Sequence, residues 1–93
     1  MSRVKVRAPR RLLLGARVTL HIEQEELATL TGLSRRTISN FENSKLKTRE
    51  STRAAIQAAL EERGIVFTNG DKPGFYIDKE KMAERHEVDP AQS

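Results

Sequence analysis

Between Leu30 and Glu42 the chain reads LTGLSRRTISNFE, and within this stretch Arg35, Arg36, Ser39 and Asn40 bring together side chains suited to reading base edges. Arg pairs bidentately with O6 and N7 of guanine, and Asn with N6 and N7 of adenine. Both edges are displayed in the DNA major groove, which admits an α-helix. The bland alternative is that adjacent arginines are solvated surface charge and that Asn40 only helps to end a helix. Spacing weighs between the two. At about 100° per residue, Ile38 and Phe41 lie roughly 60° apart and define a buried side. Arg36, Ser39, Asn40 and Asn43 then share the opposite side, with Arg35 at its edge and no acidic residue at its centre.

Such a face needs a frame. Gly32 tolerates the positive φ of a sharp turn, Leu33 offers an apolar side chain to tuck beneath two helices, and Ser34 can cap the helix that follows. The spacing predicts a helix from Arg35 to about Asn43, preceded by a short helix over Gln24–Thr31 with Leu27, Ala28 and Leu30 inward. Glu25 and Glu26 in its first turn are favoured by the helix dipole. Upstream, Pro9 opens a helix to Leu20 whose apolar side holds Leu13, Leu14, Arg17, Val18 and Leu20. Downstream, Thr48 is the expected cap of a fourth helix reaching Arg63, with Thr52, Ile56, Ala59, Leu60 and Arg63 on one stripe and Gly64 as its stop.

Beyond Gly64 the helical period ends. IVFT and FYI flank NGDKPG, which reads as a β-hairpin. Phe67, Phe75, Tyr76 and Ile77 either cover the fourth helix or offer an edge strand to a second subunit or another protein. Residues 1–8 form a basic arm, left open between a short strand around Val4 and Val6 and a free tail. Its Arg3, Lys5 and Arg7, with Arg10 and Arg11 just beyond it, either follow DNA or stay solvated. Residues 79–93 read as a charged tail with a short helix near Lys79 to His86 and disorder beyond. The expected organisation is therefore arm 1–8, helical DNA-binding domain 9–64, hairpin 65–78 and tail 79–93.

Composition limits the function classes. Ninety-three residues supply one core, and with no Trp and few aromatics that core is mainly aliphatic and helical. The absence of cysteine excludes disulfides, thiolate nucleophiles and cysteine-based zinc sites, and fits a reducing, cytoplasmic setting. His21 and His86 are too poorly accompanied for a metal site, so no metal and no cofactor are expected. No apolar run approaches the ~18 residues of a membrane span. There is no phosphate loop, nucleophile elbow or carboxylate pair, and Ser34 and Ser39 have cap and surface explanations, so no enzyme is expected. Charge is uneven: residues 1–50 hold 11 Lys and Arg against 5 Asp and Glu, while residues 51–93 hold 6 against 8. A positive first half suits nucleic acid, although many basic proteins are merely soluble.

The stretch QEELATLTGLSRRTISNFENSK resembles the lambda-repressor and Cro-like (Xre-type) helix-turn-helix regulators, over about Arg11 to Arg63. Gln24 matches the glutamine that opens the family's second helix, and Ala28 the small residue where the two helices cross. Gly32 matches the turn glycine, and Ile38 the buried β-branched residue. The resemblance implies that Arg35, Arg36 and Asn40, with Ser39 beside them, meet base edges. It also implies that Gln24 lies near a phosphate and that Lys45 and Lys47 sit in a backbone-contacting loop. Thr37 and Asn43 are further expected phosphate contacts. Arg17 and Glu42 fall where some phage repressors pair an arginine with a glutamate. Three positions depart from the pattern: Glu23 stands at a usual cap, Ser44 replaces a frequent glycine, and the hairpin and tail replace a fifth helix.

The fold expected is thus mainly α, a bundle of about four helices followed by a hairpin. The function expected is sequence-specific duplex-DNA binding by a bacterial, phage or mobile-element transcription regulator, a repressor by default. A single module buries only ~600–1,000 Å² on DNA, so a homodimer on an inverted repeat is expected, with half-sites ~34–36 Å apart. The competing expectation is an antitoxin or antiactivator that binds a partner protein through the hairpin and tail.

Overall fold

The computed structural model describes residues 6–43, 48–69 and 71–80. The arm residues Arg3 and Lys5, the loop residues Ser44, Lys45 and Lys47, and the tail from residue 81 on, with His86, lie outside the described residues. Four helices, α1 (Arg10–Thr19), α2 (Gln24–Thr31), α3 (Arg35–Asn43) and α4 (Glu50–Glu62), precede strands β1 (Ile65–Thr68) and β2 (Gly74–Ile77). The strands pair antiparallel with Ile65 opposite Ile77 and Thr68 opposite Gly74.

The helices converge on one core in which Leu13, Leu27, Ile38, Ile56, Leu60 and Ile65 are the largest fully buried side chains. Removing their apolar surface from water is the main force joining four short helices, none of which is long enough to be stable alone. The hairpin closes one end of the bundle. Phe67 is buried in the core, and Phe75 packs against it edge-on with ring centroids 6.2 Å apart. β2 reaches α1 as well as β1 reaching α4. A Cβ built on Gly15 would stand 3.4 Å from the Phe75 ring, so this helical glycine lets the hairpin approach α1 closely.

Chain reversals follow local chemistry. At the end of α1, His21 takes φ 59°, its N–H donates to Val18 O, and Ile22 N–H donates to Arg17 O. This is the bonding of a Schellman turn, with buried Ile22 as its apolar contact. α2 ends on Gly32 at φ 77°, and α4 is followed by Gly64 at φ 103°, as the glycine positions suggested. Asp78 N–H then ties β2 back to Gly64 O at 2.7 Å.

Four expectations are corrected. Val18 and Leu30 point outward, 56% and 37% exposed, because the core is narrow enough for Leu13, Ala16, Leu27 and Ala28 to fill it. Thr48 does not cap α4: Arg49 occupies the cap position and makes no side-chain cap bond. Pro9 is the cap of α1 rather than a residue inside it, its carbonyl accepting from Leu12 and Leu13 N–H. Residues 6–8 are not a free arm, since Ala8 is fully buried and Val6 packs against the core.

Candidate nucleic-acid interface

α3 is aimed by its two ends and its apolar side. Thr37 N–H donates to Ser34 Oγ at 3.0 Å, so Ser34 caps the helix, and the two hydroxyls bond each other at 2.9 Å. Ile38 is fully buried and Phe41 nearly so. With those side chains inside, Arg35, Arg36 and Asn43 are exposed, and Ser39 and Asn40 are half-buried on the same outer surface. Asn43 Nδ2 donates to Ser39 Oγ at 3.2 Å, bridging one turn. Arg36 has no hydrogen-bond or ion-pair partner among the described residues.

Arg35 belongs to a relay that begins in the interior. Arg17 Nε and Nη2 donate to the Glu42 carboxylate at 2.6 and 2.9 Å, and Arg17 Nη1 donates to Ile22 O at 2.6 Å. This fork fastens α1 to α3 and closes the loop before α2. Gln24 Nε2 donates to Glu42 Oε1 at 2.8 Å, and Arg35 Nη1 donates to Gln24 Oε1 at 3.1 Å. A carboxylate only accepts and a guanidinium only donates, so the Gln24 amide can lie in this relay one way round. The expected phosphate-side residue therefore has both ends of its amide engaged within the protein, and its second Nε2 hydrogen is left to meet a phosphate. Ala28 is buried on α2, which packs against α3.

A second polar network ties α4 to residues 6–8. Arg53 and Gln57 are 9% and 3% exposed, although their chemistry marks them as surface residues. Arg53 Nε and Nη2 donate to Glu50, and its Nη1 donates to Ala8 O at 3.0 Å and Gln57 Oε1 at 2.6 Å. Gln57 Oε1 also accepts from Ala8 N–H at 3.0 Å, and its Nε2 donates to Val6 O at 2.6 Å. The sequence reading missed this network. A signal was present: positions 53, 56, 57 and 60 follow the i, i+3, i+4, i+7 spacing of an inward stripe.

Glu50 is the acid at this network's exposed edge. Hydrogen bonds from Arg53, and then from Arg7 at 2.7 Å, hold its carboxyl down at about 2, and Glu50 in turn raises Arg7 above its ordinary value. The unfolded chain takes up this proton near ~4.3, so between that pH and 2 it binds more protons than the folded chain. The stabilisation is complete above ~4.3 and lost as pH falls through that window. Because the side chain is 58% exposed, solvent screens much of it. Glu50→Gln is expected to be less stable than the parent at neutral pH, with the difference vanishing as the pH approaches 2. Urea denaturation as a function of pH measures this, and a constant difference would refute it.

Among the described residues no cluster of His, Asp or Glu could hold a metal ion, and no helix is long and apolar enough to cross a membrane. A family model described as helix-turn-helix matches residues 15–61, half the chain. Comparison with curated proteins gives no match. The matched span runs from the middle of α1 almost to the end of α4 and contains the turn, the cap and the outer face of α3. That family is regulatory rather than enzymatic. The chain belongs to the helix-turn-helix family of Xre and lambda-repressor-like DNA-binding transcription regulators.

Proposed function

We propose that this protein is a sequence-specific repressor that enters the major groove of duplex DNA with α3 and binds an inverted-repeat operator as a homodimer. The observation that carries the reading is the outer face of α3, where Arg36, Ser39, Asn40 and Asn43 stand together over a buried Ile38 and Phe41. Arg35, Arg36, Ser39 and Asn40 contact base edges. Gln24, Thr37, Asn43, Lys45 and Lys47 contact phosphates. Residues 9–64 make up the DNA-binding domain, the hairpin 65–78 contributes the contact between copies, and the protein acts in the cytoplasm without enzymatic activity.

A mobility-shift assay on a site selected from a randomised duplex pool tests it. Arg36→Ala and Asn40→Ala are each expected to cost ~1–3 kcal/mol and to relax preference at one base pair, because each removes a bidentate base contact. Wild-type preference in both variants would remove α3 as the reader. A second reading, an antitoxin or antiactivator that binds a partner protein, draws support from Tyr76, which is 54% exposed on edge strand β2. Copurification of a partner that Tyr76→Ala abolishes, without change in the DNA shift, would favour it.

A further inference from the structure

Resting on the DNA-binding reading, we infer that Arg7, Arg10 and Arg49 form a second contact surface for the DNA phosphate backbone, assembled by the Arg53–Gln57 clamp. The clamp comes first. Gln57 bonds Val6 O and Ala8 N–H, Arg53 bonds Ala8 O, and Arg7 reaches Glu50. Taken in chain order, residues 6–8 therefore run from Gln57 towards Glu50, antiparallel to α4. This direction delivers Arg7 and Arg10 to the start of α4, where Arg49 stands.

Together they rim an open cavity of about 240 Å³ whose walls also include Phe41, Glu50 and Arg53. Four guanidinium groups face one carboxylate there. Glu50 is already shared by Arg53 and Arg7, at 2.6 and 2.7 Å. Arg10 and Arg49 are exposed and have no hydrogen-bond or ion-pair partner among the described residues. Like charges gathered without a counter-charge repel one another, and a polyanion relieves the repulsion and releases its own counterions. Phe41 fixes where the patch lies: its inner ring lines the cavity while Asn40 and Asn43 beside it belong to the reading face. The patch thus flanks the C-terminal end of α3, where a groove-bound helix meets sugar–phosphate backbone. A backbone contact is insensitive to sequence, so the patch adds affinity and register rather than base preference.

The experiment measures the dissociation constant for a short random-sequence duplex against salt concentration, by fluorescence anisotropy, on the full chain. Each of Arg10→Ala and Arg49→Ala is expected to reduce the slope of log affinity against log salt by about 0.9, the value for one lost phosphate contact. Base preference on a selected site stays as in the parent. Gln57→Leu, which unhooks Val6 and Ala8, is expected to reduce the slope in the same direction. An unchanged slope in both arginine variants overturns the surface, and a folded Gln57→Leu with the parental slope overturns the clamp's part in it. Arg36→Ala separates this from the α3 reading. If Arg36→Ala keeps full base preference while Arg10→Ala and Arg49→Ala lower the slope, the α3 reading fails and the patch stands.

Discussion

Arg17→Met is expected to destabilise the fold by about 3–5 kcal/mol, a large share of the ~5–15 kcal/mol available to a domain of this kind. The side chains of Arg17 and Glu42 are 13% and 5% exposed, so removing the guanidinium strands a nearly enclosed carboxylate with only Gln24 as donor. It also frees Ile22 O, the acceptor that closes the turn after α1. The pair itself is a different quantity from its half. Replacing both partners with apolar residues removes the attraction and the desolvation cost together, and is often close to neutral. Arg17→Met with Glu42→Leu is therefore expected to recover most of the loss, giving a large coupling in a double-mutant cycle read by urea denaturation. Both single variants within 1 kcal/mol of the parent, a threshold set by exposed pairs, would make the bridge incidental to the fold. The relay adds a functional consequence. Without Arg17, Glu42 and Gln24 lose their fixed arrangement, and Arg35 loses the acceptor that steadies it.

Leu27→Ala is expected to cost about 2–5 kcal/mol, with the upper part of that range favoured because the site cannot collapse easily. Leu27 is fully buried, and α2, which carries it, packs on both α3 and α4. The lost methyl groups leave a hole in the one core cluster that also holds Leu13, Ile38, Ile56 and Leu60, side chains already enclosed by the bundle. Thermal denaturation by circular dichroism reads the cost directly. DNA affinity should fall only with the folded fraction while base preference stays unchanged, because no side chain of the α3 face is touched. A loss below 1 kcal/mol would show that the core closes over the gap, against the expectation for a buried leucine.

The same residues show how far local chemistry carries. α2 and α3 begin and end where the turn glycine, the Ser34 cap and the apolar period place them. These are interactions between neighbours in sequence, so their pattern is visible in a string of letters. The hairpin is visible for the same reason: β-branched and aromatic runs on either side of turn-forming residues prescribe a reversal. The Arg17–Glu42 pair was accessible only through the family resemblance, since nothing within either helix indicates that residues 25 positions apart will meet.

The set of elements, the turn between α2 and α3, and the outward side of α3 all follow from residues close together in the chain. Tertiary structure decided the rest. It turned Val18 and Leu30 away from the core, because inward space is a property of the assembled bundle and not of any one helix. It drew Arg53 and Gln57 inside, because the backbone groups of Val6 and Ala8 needed partners once that segment was buried against α4. And it gathered Arg7, Arg10 and Arg49 around one cavity, although residues 7 and 49 are far apart along the chain. Burial and pairing between distant segments depend on where the chain has already been placed, and that placement is a collective result of packing.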